Sequence, residues 1–332
     1  MAYSSGSTIL DDDYNIFATG NASGTGDDNT PNVNTVWGSG TGNKGYGQTN
    51  TISIVSAGTT ITATQWTTLL NRISSLASHQ GTSITSIANP TAGDTIEAYS
   101  ALNSNLNAVF NNRLNAAANG TDITSGGSVT GTTSWYTQAE TTTTVTFSNA
   151  NAARYFFNAG GMIRLSAVRS GTNNSKSTEW NDLASDIGTI AFTSGSTATI
   201  AGTTYSGTDK IGGSGTVNSI ADNTGFYDLT PGGSSTLIFK QFADSSPYTA
   251  NYIEIRVALN SSSNVLTFTM TFRDDATDTK FDNDQPTQNP QTFDQVQGTT
   301  GSTTVVRPPS TAHISNTWGT PTISGSISYI TS

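Results

Sequence analysis

The chain contains no cysteine and only two histidines, His79 and His313, among its 332 residues. The absence of cysteine excludes disulfides, thiolate metal ligands and thiol catalysis together. A structural zinc site needs more nitrogen or sulfur ligands than two distant histidines supply. We therefore expect neither a metal site of this kind nor a cofactor, and a cysteine-free chain fits assembly in a reducing cytoplasm.

Basic residues are also scarce. The chain has 13 Lys and Arg against 23 Asp and Glu, a formal net charge of −10, and its basic residues form no cluster. Binding to a phosphate backbone depends on clustered basic side chains. We therefore expect no nucleic-acid partner. Only 11% of the residues are charged, so Thr, Ser, Asn and Gly supply most of the polarity.

Long apolar runs are missing as well. No run approaches the roughly 20 residues that a membrane helix requires, so we expect no membrane insertion. Asp11, Asp12 and Asp13 follow a short polar lead, where a secretory signal would need an apolar stretch. We expect no such signal, and we interpret the three carboxylates as a helix start or an anchor.

The apolar residues that are present favour strands. Hydrophobic residues make up 33% of the chain, too few for one large, dense core at this length. The 13 Phe, 11 Tyr and 5 Trp nevertheless argue against disorder. We expect a mostly β fold with a small core and much polar strand surface.

Residues 1–55 are rich in Gly, Asn and Asp and show no sustained period of 2 or 3.6. We interpret them as an extended N-terminal arm. Their scattered aromatic residues are typical of a segment that docks on another subunit. The alternative, that the segment is an irregular part of the fold, stays open.

Residues 56–118 change to helical spacing and predict an α-helical hairpin. Thr62 and Gln65 fit a capping box ahead of an amphipathic helix. His79 lies at the end of this helix, where a partly charged imidazole would complement the helix dipole, so we predict a structural role for it. A second helix is predicted to begin at Asp94. The hairpin would pack either on another subunit or on its own β domain.

Residues 119–133 predict a Gly/Ser/Thr linker, and residues 134–332 predict an antiparallel β-sandwich, of which a jelly roll is one form. Alternating apolar positions at 253–259 and 266–272 predict a β-hairpin. A short helix is predicted at 178–187. Further strands are predicted at 142–147, 162–166, 189–192, 236–242 and 322–330.

Carboxylates are the remaining candidates for chemistry. Residues 273–284 hold several Asp, but they lack the glycine and glutamate of an EF-hand loop, so we prefer a solvated loop to a calcium site. Glycan hydrolysis needs two carboxylates about 5 to 10 Å apart. The candidates, which no pattern pairs, are Glu140, Glu179, Asp182 and Asp186. No nucleophile-elbow, Walker or dinucleotide pattern stands in a suitable context. We predict a protein that is not an enzyme.

The most informative stretch is residues 154–165, which predict an apolar strand interrupted by Gly160 and Gly161. With residues 1–15 and 65–81, it resembles structural proteins of tailed bacteriophages, especially the virion proteins of marine and freshwater cyanobacterial myoviruses. The resemblance implies a virion component, assembled in the host cytoplasm, of tail, neck or baseplate type. A fibre or collar protein is the specific expectation.

A virion protein of this kind would assemble through large side chains, because aromatic residues and arginine dominate interface energetics. The interface candidates are Trp37, Trp66, Tyr99, Phe110 and Arg154. We expect a homo-oligomer that contacts other virion proteins through its N-terminal arm and helices. Two alternatives stay open: a receptor-binding adhesin that recognises host-surface glycans, and a capsid decoration protein.

Overall fold

The computed structural model describes residues 10–91, 99–171, 174–276 and 295–331. Its helices are α1 (Asp11–Thr19), α2 (Val33–Trp37), α3 (Ala63–Gln80), α4 (Tyr99–Asn111), α5 (Ala150–Asn158) and α6 (Ser175–Asp186). Its strands are β1 (Ser128–Gly131), β2 (Gln138–Thr146), β3 (Met162–Ser170), β4 (Thr189–Phe192), β5 (Ala198–Ile200), β6 (Thr203–Tyr205), β7 (Thr208–Ile211), β8 (Val217–Ile220), β9 (Thr236–Phe242), β10 (Tyr252–Leu259), β11 (Val265–Arg273), β12 (Thr299–Arg307) and β13 (Thr322–Ile330). Among the described residues, no helix combines the length and apolar composition needed to cross a bilayer.

Two antiparallel sheets pack face to face. One has the strand order β1-β12-β3-β4-β7 and the other β13-β2-β11-β10-β9-β8, while β5 and β6 form a separate hairpin. Between the sheets, the ring centroids of Phe192 and Phe268 lie 5.5 Å apart, and Ser302 Oγ donates to Thr141 Oγ1 at 2.8 Å. The prediction of a mostly β fold with an antiparallel sandwich is confirmed.

The predicted β-hairpin is formed by β10 and β11. The two strands pair from Leu259 and Leu266 at the turn to Tyr252 and Arg273 at the far end, and buried positions alternate with half-buried ones along β10. The strands β8 to β11 lie side by side in chain order. They form a meander, whereas the two Greek keys of a jelly roll place successive strands mostly in different sheets.

Residues 10–55 do not form the predicted extended arm. They carry α1 and α2, and both Tyr14 and Phe17 are buried with ring centroids 6.3 Å from that of Trp66 on α3. The first turn of α1 consists of Asp11, Asp12 and Asp13, so these carboxylates do mark a helix start. The arm prediction was wrong because helices of nine and five residues contain too few turns to show a 3.6-residue period.

The first helix of the predicted hairpin is α3, and it has the predicted capping box. Gln65 N donates to Thr62 Oγ1 at 3.2 Å, and Thr62 N donates to Gln65 Oε1 at 2.8 Å. The second is α4, described from Tyr99; the predicted start at Asp94 lies outside the described residues. One hydrophobic cluster includes residues of α3, α4 and both sheets. The hairpin therefore packs on its own β domain.

The strand predicted at 154–165 is wrong in its first half. Residues 154–158 belong to α5, which Asn149 caps by accepting from Ala152 N at 2.9 Å. The buried face of α5 begins with Ala152, ahead of the stretch that was interpreted as a strand. Gly160 then adopts a φ of +88°, and a Cβ on Gly161 would lie 2.6 Å from the Phe156 ring. The glycine pair is thus a turn from helix to strand and not a bulge.

The predicted linker is part of the sandwich. It contains β1, which pairs with β12. Asp122 accepts two hydrogen bonds from Arg307, at 2.7 and 2.8 Å, and Ile123 exchanges backbone hydrogen bonds with Val306 at 2.8 and 3.0 Å. A Cβ on Gly127 would lie 1.9 Å from the carbonyl oxygen of Thr304. Glycine is needed there because the two backbones lie in close contact. Composition alone does not distinguish a glycine used in this way from a glycine in a flexible linker.

Candidate functional site

A cleft lies between the helical layer, which we define as residues 10–111, and the segment that precedes β13. Its volume is about 550 Å³. We call it the Arg72 cleft, and it is lined by Trp37, Gln48, Thr49, Asn50, Arg72, Ser75 and residues 311–317. It brings one predicted interface residue, Trp37, next to a histidine of unassigned role, His313.

Arg72 and Trp37 form the charged end of this cleft. Arg72 flanks the buried face of α3, and its guanidinium carbon lies 4.3 Å from the centroid of the Trp37 ring. Trp37 ends the short helix α2, whose cap Asn32 accepts from Thr35 N at 2.8 Å. Only 6% of Trp37 is exposed, so its ring is not the free anchor that the sequence predicted.

Gln48 holds the opposite walls of the cleft together. Its side chain donates to Ser315 O and accepts from Ser315 N, both at 2.9 Å. The Thr317 hydroxyl adds a hydrogen bond to the carbonyl oxygen of Tyr46. Because Gln48 is buried and both of its amide atoms are used, the two lining segments are fixed relative to each other.

Two donors at the cleft have no hydrogen-bond partner among the described residues. Arg72 Nε and Trp37 Nε1 are buried, and neither forms a hydrogen bond with any residue that the structure describes. An unsatisfied buried donor costs about 1–3 kcal/mol, and more when it is charged. A ligand that carries hydrogen-bond acceptors and negative charge would relieve this cost at Arg72.

His79 is buried near the end of α3. Its Nε2 donates to Ala159 O at 3.1 Å, and its ring centroid lies 5.1 Å from that of Tyr46. Burial lowers the pKa of His79 to about 4, so the imidazole is neutral near pH 7. The contacts are structural, as predicted. The prediction that the imidazole carries a partial positive charge was wrong, because the cost of desolvating that charge exceeds the attraction of the helix dipole.

Arg154 is used within the chain. Its Nη2 donates to Gly40 O at 2.9 Å, and one turn later on α5 Asn158 Nδ2 donates to Gly45 O at 2.9 Å. Both side chains bind the loop 38–47, which the helical layer presents to the sandwich. The guanidinium thus fixes the helical layer to the β domain, and an interface role for the half-buried Arg154 stays a prediction.

The other predicted interface residues differ in exposure. Trp66 is 1% exposed and leaves no ring surface to a partner. Tyr99 is half-buried, and its ring centroid lies 5.0 Å from that of Phe17, which also contacts Trp66. Phe110 is half-buried beneath the guanidinium of Arg113. An interface role for Tyr99 and Phe110 stays a prediction.

Two of the predicted carboxylates meet on α6. Glu179 and Asp182 each place a carboxylate oxygen within 4.8 Å of the other and of Asp244. Burial raises the pKa of Glu179, and the neighbouring carboxylates raise it further. The pKa of Asp182 is raised for the same reasons, with Asp186 contributing. Three such oxygens are the ligand type that a hard divalent cation takes. Asp244 could not be found from the sequence, because it lies on a different element.

The other two predicted carboxylates are not part of this group, although Asp186 is the last residue of α6. Asp186 accepts a hydrogen bond from the Ser214 hydroxyl. Glu140 lines a second groove, of about 400 Å³, on the outer face of the six-stranded sheet, where it accepts from Thr271 Oγ1 at 3.2 Å. Its charged neighbours are paired, as Arg256 is with Glu254 at 3.0 Å. The four carboxylates therefore do not share one site.

The predicted acidic loop is described only at its start, and residues 277–284 lie outside the described part of the chain. Asp274 forms a buried ion pair with Lys176, with 2.7 Å between Nζ and Oδ2. Asp275 accepts from Arg273 Nε at 2.7 Å. Both carboxylates are already neutralised by cations, which makes them poor calcium ligands.

The last strand, β13, is the longest edge strand of the sandwich. The edge strands β1, β7 and β8 have four residues each, whereas β13 has nine. Residues 308–331 contain no Asp, Glu, Lys or Arg. The sequence predicted this strand but not its position at an edge, which depends on pairing with the distant β2.

Comparisons with known proteins give no further guide. No family model matches the chain, and searches of curated proteins and of solved structures find no significant match.

Proposed function

We propose that this chain is a non-enzymatic structural protein of a tailed-bacteriophage virion, in the tail, neck or baseplate, and of fibre or collar type. The resemblance of residues 1–15, 65–81 and 154–165 to such proteins supports the class of particle. The observation that carries the assembly role is the edge strand β13.

An open edge strand presents unpaired N–H and C=O groups that pair readily with another strand. Natural proteins protect such edges by charges, by proline within the strand or by short strands. The strands β1, β7 and β8 are short, but β13 has none of these protections. In a chain of net charge −10, an uncharged edge is also where two copies approach with the least repulsion.

We infer that β13 pairs with a strand of a neighbouring copy and so extends the sheet across the subunit boundary. The helical layer provides a second, smaller contact with neighbouring subunits, through the half-buried rings of Tyr99 and Phe110. This differs from assembly through an extended arm, because Trp37 and Trp66 are used in the core.

The assembly role is tested with the double substitution Ser326→Lys and Ser328→Lys. Both serines are exposed on β13, so the lysines leave the core intact and place like charges at the proposed contact. The matched control is Ser261→Lys with Ser262→Lys, in the exposed turn between β10 and β11. Light scattering during size-exclusion chromatography gives the mass of each variant.

We expect the wild type and the turn variant to form oligomers whose mass rises with concentration, and the β13 variant to stay monomeric. A wild type that is monomeric at every concentration would contradict the proposal. So would a β13 variant that assembles like the wild type.

The adhesin alternative is favoured by one observation, the Arg72 cleft, whose guanidinium has no hydrogen-bond acceptor among the described residues. That cleft is the subject of the next inference.

A further inference from the structure

We propose that the Arg72 cleft binds an acidic saccharide, with Arg72 pairing to the sugar carboxylate. The inference goes beyond the assembly role and does not depend on it, because the cleft and β13 are different surfaces.

The carboxylate is indicated by Arg72 itself. Arg307 binds Asp122 and Arg273 binds Asp275, but Arg72 has neither a hydrogen-bond acceptor nor a carboxylate partner among the described residues. A guanidinium presents two parallel N–H groups that match one carboxylate. The Trp37 ring, 4.3 Å away, holds the guanidinium in place, so little side-chain freedom remains to be lost on binding.

The saccharide is indicated by the rest of the lining. Thr49, Asn50 and Ser75 are neutral groups that both donate and accept hydrogen bonds, which suits the hydroxyls of a sugar ring. The volume of about 550 Å³ falls within the roughly 300–1,000 Å³ of small-molecule sites. Gln48 and Ser315 fix the walls, so the cleft is formed before the ligand arrives.

Other anions fit less well. Phosphate groups are usually bound by several cations or by backbone amides at a helix N-terminus, whereas Arg72 is the only Lys or Arg in the lining. Peptides are usually bound by apolar pockets or by an open strand edge. The lining residues lie in helices and loops and provide no strand edge.

The test is titration calorimetry of the full chain with two acidic probes and their neutral counterparts. One pair is sialyllactose and lactose, and the other is oligogalacturonate and its methyl ester. We expect at least one acid to bind and its uncharged counterpart to bind about tenfold or more weakly, because one charge-assisted pair is lost.

The variants separate the role of Arg72 from a general effect of charge. Arg72→Gln is expected to weaken binding of the acid about tenfold or more, and Arg72→Lys to restore part of it, since charge remains without the planar fork. The matched control Arg256→Gln removes the same charge from the outer face of the sandwich and leaves affinity unchanged. If Arg72→Gln fails to fold, Thr49→Glu at an exposed lining position supplies a second test, because it places a repelling carboxylate in the cleft.

Selective binding of an acid that depends on Arg72 supports the proposal. Equal binding of acid and neutral counterpart, no binding of either acid at millimolar concentration, or affinity unchanged by both Arg72→Gln and Thr49→Glu would overturn it. Selective binding of galactose 6-phosphate or of an acidic peptide in the same cleft would overturn it as well.

Discussion

The helical layer and the sandwich satisfy their backbone hydrogen bonds in different ways. In the sandwich, strand pairing does so, and apolar residues fill the space between the sheets. In the helical layer, much of the chain between the helices is loop, so side-chain amides take the place of a neighbouring strand there. Four of them bind both the N–H and the C=O of one distant residue: Asn15 with Val55, Asn34 with Ile52, Gln48 with Ser315, and Asn105 with Thr85.

The difference shows how a chain with few apolar residues builds an ordered layer. Buried backbone groups must be paired wherever they lie, and an amide side chain supplies one donor and one acceptor at the right spacing. The abundance of Asn in residues 1–55, from which an extended arm is predicted, is in part a set of such pairings. Both regions nevertheless share one hydrophobic cluster.

The largest expected effect tests whether that shared cluster makes the two regions one folding unit. Trp66→Ala in the helical layer and Trp180→Ala in the sandwich should each lower the free energy of unfolding by about 3–5 kcal/mol. Each should also shift the same single urea transition, followed by circular dichroism. Ile54→Ala, at an exposed apolar side chain, is the control and should have little effect. A Trp66→Ala protein whose sandwich unfolds as in the wild type would show two independent units.

The next effect is a pH dependence that originates in the helical layer. His79 is protonated below a pKa of 6.5 when unfolded but only below a pKa of about 4 when folded. Its stabilising contribution is therefore fully present above pH 6.5 and is lost as the pH falls to 4. The loss should be about 3 kcal/mol.

His79→Gln is the comparison for this prediction, because Glu179 and Asp182 have raised pKa values and act in the opposite direction. Unfolding free energies are measured in urea at pH 7 and pH 4 for both proteins. The wild type should lose more stability than the variant over this interval. An equal loss would show that His79 is not the group responsible.

The amide pairings predict a smaller effect. Asn15→Asp keeps the shape of the side chain but places a carboxylate against Val55 O, to which the Asn15 amide donates a hydrogen bond in the wild type. We expect a loss of about 2 kcal/mol or more at pH 7, measured by urea unfolding. Asn103→Asp, on the exposed side of α4, makes the same change and should cost little. Equal costs would mean that the pairing does not stabilise the layer.

The smallest effect on stability is expected at β13. Ser326→Lys with Ser328→Lys should change the free energy of unfolding by less than about 0.5 kcal/mol, since both side chains are exposed. Thermal unfolding below the concentration of assembly measures this directly. A large loss of stability would mean that the lysines disturb the fold, and the monomeric state of that variant would then not locate the contact.

Sequence reasoning succeeded where a pattern was long and local. The capping box and apolar stripe of α3 span more than four turns, and the alternation of β10 and β11 continues across one tight turn. It failed at α5, where Phe156 and Phe157 fit a strand as well as a helix. Only Ala152 and Ala153, which lie before the stretch, show the helical face.

The candidate sites were not predictable for a related reason. The Arg72 cleft depends on Gln48 meeting Ser315, and the carboxylate group on Asp244 meeting Glu179. These contacts join residues far apart in sequence, and no local period encodes them. The one signal within reach was the absence of charge from residues 308–331, which is unusual for a strand at the edge of a sheet.

The most direct measurement is cryo-electron microscopy of the tailed-phage particles in which we propose that this chain assembles. We predict density for the sandwich in the tail, neck or baseplate, with β13 paired to a strand of a neighbouring chain. Density on the capsid would instead identify a decoration protein. Absence of the fold from every particle, or a β13 that faces solvent in the assembled tail, would contradict the proposed function.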